Sequence, residues 1–263
     1  MADIEFEKDL SVAETGIEGL KVVDLAVHGD SRGWFKENWQ RAKMTALGIP
    51  DLRIVQNNIS YNDRRGVTRG IHAEPWDKFI SVARGSVFGA WVDLREGSAT
   101  YGKVFTCTLD PSRAIYVPRG VGNSFQALED GTAYTYLVDA HWSLELKRTY
   151  TFVNLADPEL AIEWPIPLDE ATVSVADLNH PMLRDVGPHG AEAHPRHRLQ
   201  RPAGARGARA GRGARRGEGL RLLRHRHLRH VRPRRLRAVR LVALRHRHQL
   251  RRLHGGRQGG DPR

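Results

Sequence analysis

Short runs of β-branched and aromatic residues alternate with turn-forming residues through the first 186 positions of the chain. This pattern is typical of antiparallel sheets and predicts an all-β fold. The predicted strands are 20–27, 54–61, 67–72, 78–83, 87–93, 104–109, 114–117, 124–128 and 133–138. One helix is predicted, over 40–47, and Gly48 can end it. We expect a jelly-roll β-sandwich whose mouth can hold a small ligand.

Composition changes abruptly at position 187. Residues 187–263 contain 23 arginines and three acidic residues, a formal charge of +20, whereas residues 1–186 carry a formal charge of −8. The same stretch contains no aromatic residue, isoleucine or methionine, so it has little with which to build a core. The sequence therefore predicts a folded domain over 1–186 and a disordered basic tail over 187–263.

Two other interpretations of the tail stay open. A basic arm could bind nucleic acid through its arginines, although it offers no aromatic side chain for stacking on bases. Alternatively, all ten residue types in the tail have GC-rich codons, as expected of a GC-rich gene that is read out of frame. Sequencing across codons 180–190 distinguishes these possibilities, and we expect no nucleic-acid partner.

Location and cysteine content narrow the class of protein further. No apolar run is long enough to span a bilayer, and the acidic N-terminus is unlike a signal peptide, so we expect a cytoplasmic protein with no membrane partner. Cys107 is the only cysteine, which excludes an intrachain disulfide.

One histidine is a candidate catalytic residue. His72 is one of only four histidines before position 187, and histidine titrates near neutral pH, as a general base must. Arg69 would bind a phosphate, Lys78 would stabilise an oxyanion, and Tyr136 would act as an acid. Simple alternation puts Arg69 and His72 on opposite strand faces, so a bulge or turn near His72 is required for both to share a site.

Six sequence motifs occur in an order that resembles the dTDP-4-dehydrorhamnose 3,5-epimerase family. They are DSRGWFKE (30–37), VQNNIS (55–60), GVTRGIH (66–72), VFGAWVDLREGS (87–98), VPRGVGNSFQ (117–126) and EWP (163–165). The resemblance spans roughly residues 15–186 and implies an isomerase with a metal-free, cupin-like jelly roll that uses no cofactor. It further implies a homodimer that inverts carbons beside the C4 ketone of a dTDP-4-keto-6-deoxy sugar.

The resemblance also assigns roles to residues. His72 is similar to the family's base and Tyr136 to its proton donor, while Asp177 would pair with His72 and Lys78 would lie near the ketone oxygen. Nucleotide and sugar would be held by Arg32, Glu37, Gln56, Asn58, Arg69 and Asn123. The family pattern implies that Arg32 and Glu37 reach the site of a neighbouring subunit.

Three departures from the family pattern concern the pocket. Asn123 replaces a common histidine, His141-Trp142 replaces a tyrosine pair, and Lys147 replaces a ligand-contacting glutamate. Whether C3, C5 or both are inverted, and on which sugar, therefore stays open.

Structural interpretations compete with these roles. Tyr136 could be ordinary core, Asp177 could cap a short helix, and His72-Ala-Glu74 could suggest a metal site, although we find no further ligands in the sequence. The domain could also bind a nucleotide sugar without catalysis. Some bacteria fuse this type of epimerase to a 4-ketoreductase, but 187–263 lacks a glycine-rich phosphate loop after a strand, so we expect no reductase activity.

Overall fold

Fourteen strands and three short α-helices form within residues 4–190, the part of the chain that the computed structural model describes. The strands are β1 Ser11–Glu14, β2 Lys21–Asp24, β3 Val27–Asp30, β4 Gly33–Lys36, β5 Gln56–Asn62, β6 Val67–Ala73, β7 Lys78–Arg84, β8 Val87–Asp93, β9 Val104–Leu109, β10 Arg113–Val117, β11 Val121–Ala127, β12 Thr132–Val138, β13 Thr151–Phe152 and β14 Thr172–Val173. The helices are α1 Arg41–Ala46, α2 Leu144–Lys147 and α3 Val175–Leu178, followed by a 3-10 turn at Leu183–Asp185. The predicted all-β jelly roll is confirmed.

Two antiparallel sheets form the sandwich. The first has the strand order β1-β2-β10-β7-β12-β5, and the second has the order β13-β6-β11-β8-β9, with β14 joining β6 in parallel. Apolar residues of both sheets meet between them, including Ile80 and Ile115 from the first and Trp91 and Phe125 from the second. Their complete or near-complete burial supplies the main hydrophobic stabilisation of the domain.

One predicted strand is wrong in its extent. The expected strand 20–27 divides, because β2 ends at Asp24 and β3 begins at Val27 and turns away to form a separate hairpin with β4. Leu25 is fully buried against α1, so its side chain anchors the corner. The remaining predicted strands and the helix lie where we expected them, within a few residues.

Strand β6 contains the irregularity that the sequence required. Asn123 faces His72 and Phe125 faces Arg69, so Gly70 and Ile71 together stand opposite one residue of β11. Gly70 has φ +130°, and a Cβ there would lie 2.3 Å from the side chain of Ser124. Only glycine fits this bulge, which turns Arg69 and His72 toward the same side.

The segment after β12 covers the outer face of the second sheet. Val153 and Leu155 pack against Ile71 and Val92, and β14 pairs with the start of β6, so α3 is brought beside that strand. The described chain runs four residues past Val186, and His189 is buried there. The remainder of the predicted tail lies outside the described residues.

None of the helices within residues 4–190 combines the length and apolar character that crossing a membrane requires.

Candidate active site

A cavity lies between the two sheets at one end of the sandwich. Its walls come from five strands, β5, β6, β7, β11 and β12. The lining residues are Ser60, Arg69, His72, Glu74, Lys78, Asn123, Phe125, Tyr134 and Tyr136. The structure thus brings together five of the ten site residues that the sequence predicts: Arg69, His72, Lys78, Asn123 and Tyr136.

His72 is hydrogen-bonded to an acidic side chain from a helix that packs beside β6. Its Nε2 lies 3.0 Å from Oδ1 of Asp177, which stands in α3. Ser174 caps that helix by accepting a hydrogen bond from the backbone N–H of Asp177, so Asp177 is not itself the cap. Because Nε2 is engaged, Nδ1 is the ring nitrogen left to accept a proton.

The carboxyl group of Asp177 is ionised in this setting. Burial opposes the charge, but hydrogen bonds from His72 and Ser174 hold the pKa of Asp177 below its ordinary value. An anion at this position orients the imidazole and stabilises its protonated form, which is the role expected of a partner to a catalytic base.

A second histidine adjoins this pair. His180 Nε2 lies 3.8 Å from Oδ1 of Asp177, and the Phe152 ring packs against both imidazoles at centroid distances of 5.2 Å and 4.8 Å. Burial, followed by the neighbouring His72, lowers the pKa of His180, so this ring favours its neutral form. Among the described residues, only His72, Asp177 and His180 bring three potential metal ligands within 4.8 Å of one another.

Lys78 begins β7 with its side chain almost fully buried at the base of the cavity. Its Nζ pairs with the carboxylate of Glu74, which also accepts a hydrogen bond from the indole of Trp76. The ammonium lies 5.9 Å from the ring centroid of Tyr136. Glu74 therefore pairs with this lysine, and it is not part of the three-ligand group.

Tyr136 faces the cavity from the opposite sheet to His72. Burial, assisted by the nearby carboxylate of Glu74, raises the pKa of Tyr136 to about 12. The phenol therefore keeps its proton at neutral pH and can act as a donor. Its neighbour Tyr134 is buried, stacks on Phe125 at 4.1 Å and donates a hydrogen bond to Asn123.

Further polar side chains lie in and beside the cavity on β5 and β6. Arg69 donates from Nε to Oδ1 of the buried Asn62 at 3.0 Å, which fixes the guanidinium. Gln56 donates to Asn58 and accepts from the backbone N–H of Trp142, whose side chain is half exposed. Gln56 and Asn58 share the face of β5 that carries Ser60, beside the cavity rather than among its lining residues.

Arg32 and Glu37 lie elsewhere in the same chain. Arg32 occupies the tip of the β3–β4 hairpin, 87% exposed and paired with Asp30, and Glu37 pairs with Lys43 at 2.9 Å. Neither residue lines the cavity.

Four residues of the site were missed or misjudged from the sequence. Asn62 accepts a hydrogen bond from Arg69, and Glu74 pairs with Lys78. His180 lies 3.8 Å from the carboxylate of Asp177. Each of the three comes from a different turn or strand end. Tyr134 was visible only as the i−2 neighbour of Tyr136 on the same strand face, a signal that core packing also explains.

Comparison with known proteins places this arrangement in a family. A sequence model described as dTDP-4-dehydrorhamnose 3,5-epimerase matches residues 14–185. The chain belongs to the dTDP-4-dehydrorhamnose 3,5-epimerase family. A relative from Streptococcus pyogenes, described as a protein RmlC homolog, is 51% identical over 194 residues, covering 72% of this chain and 97% of the relative.

Solved structures of this epimerase family share the fold. RmlC from Streptococcus suis, in complex with dTDP-D-xylose, has a TM-score of 0.67 and 52% identity over 72% of this chain and 99% of its own. RmlC from Legionella pneumophila, in complex with dTDP-4-keto-L-rhamnose, has a TM-score of 0.62 and 30% identity over the same share of this chain and 99% of its own.

Proposed function

We propose that this protein is an isomerase that inverts C3, C5 or both in a dTDP-4-keto-6-deoxy sugar, as part of dTDP-L-rhamnose-type deoxysugar biosynthesis. The observation that carries the proposal is that His72 and Tyr136 stand on opposite walls of one cavity, in different sheets. A sugar ring between them would present one face to a base and the other to an acid, which is what inversion at carbon requires. Family membership supplies the substrate class.

The reaction begins with proton abstraction beside the C4 ketone. Nδ1 of His72 takes the proton from carbon while Asp177 stabilises the imidazolium, and the electron pair moves to the ketone oxygen to form an enolate. Donors near that oxygen stabilise the developing charge. Lys78 supplies a positive charge in this part of the cavity, balanced by Glu74.

Tyr136 completes the inversion from the other wall. Its phenol gives a proton to the same carbon on the opposite face, the ketone reforms, and solvent returns His72 and Tyr136 to their starting protonation states. Substrate and product have the same oxidation level, so the steps need no cofactor.

The polar residues beside the cavity suit the rest of the ligand. Asn62 accepts a hydrogen bond from the Nε of Arg69, and the two terminal nitrogens of the guanidinium fork are suited to bind the diphosphate as a pair of donors. Gln56 and Asn58 continue this path toward the exposed Trp142, where a flat base can be held.

We also propose a homodimer in which Arg32 and Glu37 complete the partner's site. Support comes from the fact that neither residue lines the cavity of its own chain, and from the exposed Trp34 and Phe35 on the same hairpin as Arg32, since large exposed apolar residues are typical of interfaces. A cytoplasmic location belongs to the proposal too, since a charged nucleotide sugar does not cross a membrane unaided.

Solvent exchange tests the proposal. The protein is incubated with dTDP-4-keto-6-deoxyglucose in D₂O, and deuterium at C3 and C5 is measured by NMR. We expect incorporation at one or both carbons. Binding of the nucleotide sugar without incorporation, alongside exchange by an established epimerase, would instead support a non-catalytic sugar-binding jelly roll.

A further inference from the structure

We propose that Tyr134 is a positioning residue that fixes the side-chain amide of Asn123, so that the amide N–H points into the cavity and donates to the C4 oxygen of the sugar. The inference rests on the proposed function, and it concerns how this chain, with asparagine at that position, stabilises the enolate.

Asn123 stands directly beside the candidate base. It is the Cα partner of His72 across the β6–β11 pair, immediately before the bulge in register. The C4 oxygen of a substrate is bonded to the carbon next to each carbon that His72 could deprotonate. A donor at this position is therefore within reach of the oxygen on which charge develops.

The phenol of Tyr134 determines which way the amide points. Tyr134 Oη donates to Oδ1 of Asn123 at 3.0 Å, and this is the one hydrogen bond that the described residues provide to that hydroxyl. A flipped amide would offer Nδ2, which cannot accept, so the buried phenolic proton would lose its acceptor. The network therefore places Nδ2, with its two donor hydrogens, on the cavity side.

The tyrosine itself is held rigidly. Tyr134 is buried and its ring stacks on Phe125 at 4.1 Å with an interplanar angle of 17°. It shares the hydrophobic core between the two sheets with Ile80 and Val82. A fixed ring gives a fixed hydroxyl, and a donor that is already oriented needs no rearrangement when charge appears.

A neutral donor is useful here because the nearby cation is already paired. The ammonium of Lys78 is engaged with Glu74, so its charge is shared with a carboxylate. The amide of Asn123 adds a second donor with no charge to be balanced, which suits an oxygen that is neutral in the substrate and anionic in the enolate.

Four variants of the full-length protein test this assignment. They are Tyr134→Phe, Asn123→Ala, the double variant, and Tyr116→Phe as a matched control. Tyr116 is another buried tyrosine, whose hydroxyl donates to Asp77 at 3.0 Å outside the cavity lining. The readouts are kcat and KM for deuterium exchange, and Kd for dTDP and for dTDP-glucose by calorimetry.

We expect Tyr134→Phe to lower kcat about 10-fold and Asn123→Ala about 100-fold, the lower range for one oxyanion donor. The double variant should have the same kcat as Asn123→Ala, because the phenol of Tyr134 acts only through the amide of Asn123. Binding of dTDP should be unchanged in all four proteins, whereas binding of dTDP-glucose should weaken about 5-fold in Tyr134→Phe and Asn123→Ala. Tyr116→Phe should keep kcat within about 2-fold.

Several results would overturn the assignment. Multiplicative losses in the double variant, weaker dTDP binding in Tyr134→Phe, or an equal loss in Tyr116→Phe would mean that the tyrosine matters only for packing. If the wild type shows no exchange, the proposed function fails, and the dTDP-glucose to dTDP affinity ratio still decides the orientation of the amide.

Discussion

At the scale of single residues, the site is defined by two proton carriers with fixed partners. His72 is bonded to Asp177, whose pKa is held below its ordinary value, and burial raises the pKa of Tyr136 to about 12. The carboxylate beside His72 prepares that imidazole to accept a proton, and the burial of Tyr136 leaves the phenol with a proton to give. The direction of transfer follows from the surroundings of each side chain.

Replacing Tyr136 with phenylalanine should separate exchange from inversion. His72 could still remove a proton and return one to the same face, so deuterium should enter the substrate while formation of the inverted sugar falls about 100-fold. Chiral analysis of the product and NMR of the recovered substrate measure the two rates. Equal losses of exchange and inversion would argue against Tyr136 as the acid on the opposite face.

At the scale of elements, the bulge in β6 makes the site possible. Sequence alternation puts Arg69 and His72 on opposite faces, and the extra residue at Gly70 returns them to the same side. The need for an irregularity could be predicted from the sequence, because Arg69 and His72 are three positions apart and would lie on opposite faces of a regular strand. Its exact residue could not, since it depends on Ser124, which lies in another strand 54 positions further along the chain.

Gly70→Ala should therefore damage both stability and activity. A Cβ at this position meets the Ser124 side chain at 2.3 Å while the backbone is at φ +130°, and we expect a loss of about 3 kcal/mol in the free energy of unfolding. Gly97→Ala is the matched control, since Gly97 also has positive φ but nothing within 4 Å of its Cβ, and about 1 kcal/mol is expected. Urea denaturation measures the free energy of unfolding of both variants. Equal losses in Gly70→Ala and Gly97→Ala would show that the contact with Ser124 does not matter.

The connection between β8 and β9 gives a pH-dependent contribution to stability. Burial would raise the pKa of Asp93, but hydrogen bonds from Arg95, Ser98 and Thr100 bring it to about 2. The depressed pKa stabilises the fold above pH 4, and this stabilisation is lost as the pH falls from about 4 to about 2.

Asp93→Asn should lower the free energy of unfolding by about 2 kcal/mol at pH 7, and the difference from wild type should disappear toward pH 2. The exposed Asp169 serves as the control, because Asp169→Asn should change stability little at any pH. Denaturation at a series of pH values measures both variants. A difference between Asp93→Asn and wild type that does not change with pH would contradict the role of the ionised carboxylate.

At the scale of the whole molecule, the sequence predicted the sandwich well because strand patterns are local. The nine predicted strands correspond to described ones, with 20–27 divided in two. The pairings that complete the site are not local: Asp177 reaches His72 across 105 positions, and Asn62 supports Arg69 from the preceding strand. Only the family resemblance connected His72 with Asp177 in advance.

A shared site between subunits should be visible by mixing variants. Arg32→Ala and His72→Ala proteins are each expected to be impaired, but a mixed dimer contains one site with both wild-type residues. After unfolding and refolding together, an equal mixture should recover about a quarter of wild-type activity at low substrate concentration, because half of the dimers are mixed and each has one complete site. Activity no higher than the mean of the two variants would mean that Arg32 does not act on the partner's site.

The proposed reaction depends on removal of a proton by His72 from a carbon beside the ketone. Its most direct test is deuterium incorporation from D₂O into dTDP-4-keto-6-deoxyglucose by wild type and by His72→Ala, with dTDP binding as the check on folding. We predict incorporation at C3, C5 or both by the wild type, a loss of about 1000-fold in the variant, and dTDP binding within a factor of two. Undiminished incorporation by a His72→Ala protein that still binds dTDP would show that His72 is not the base.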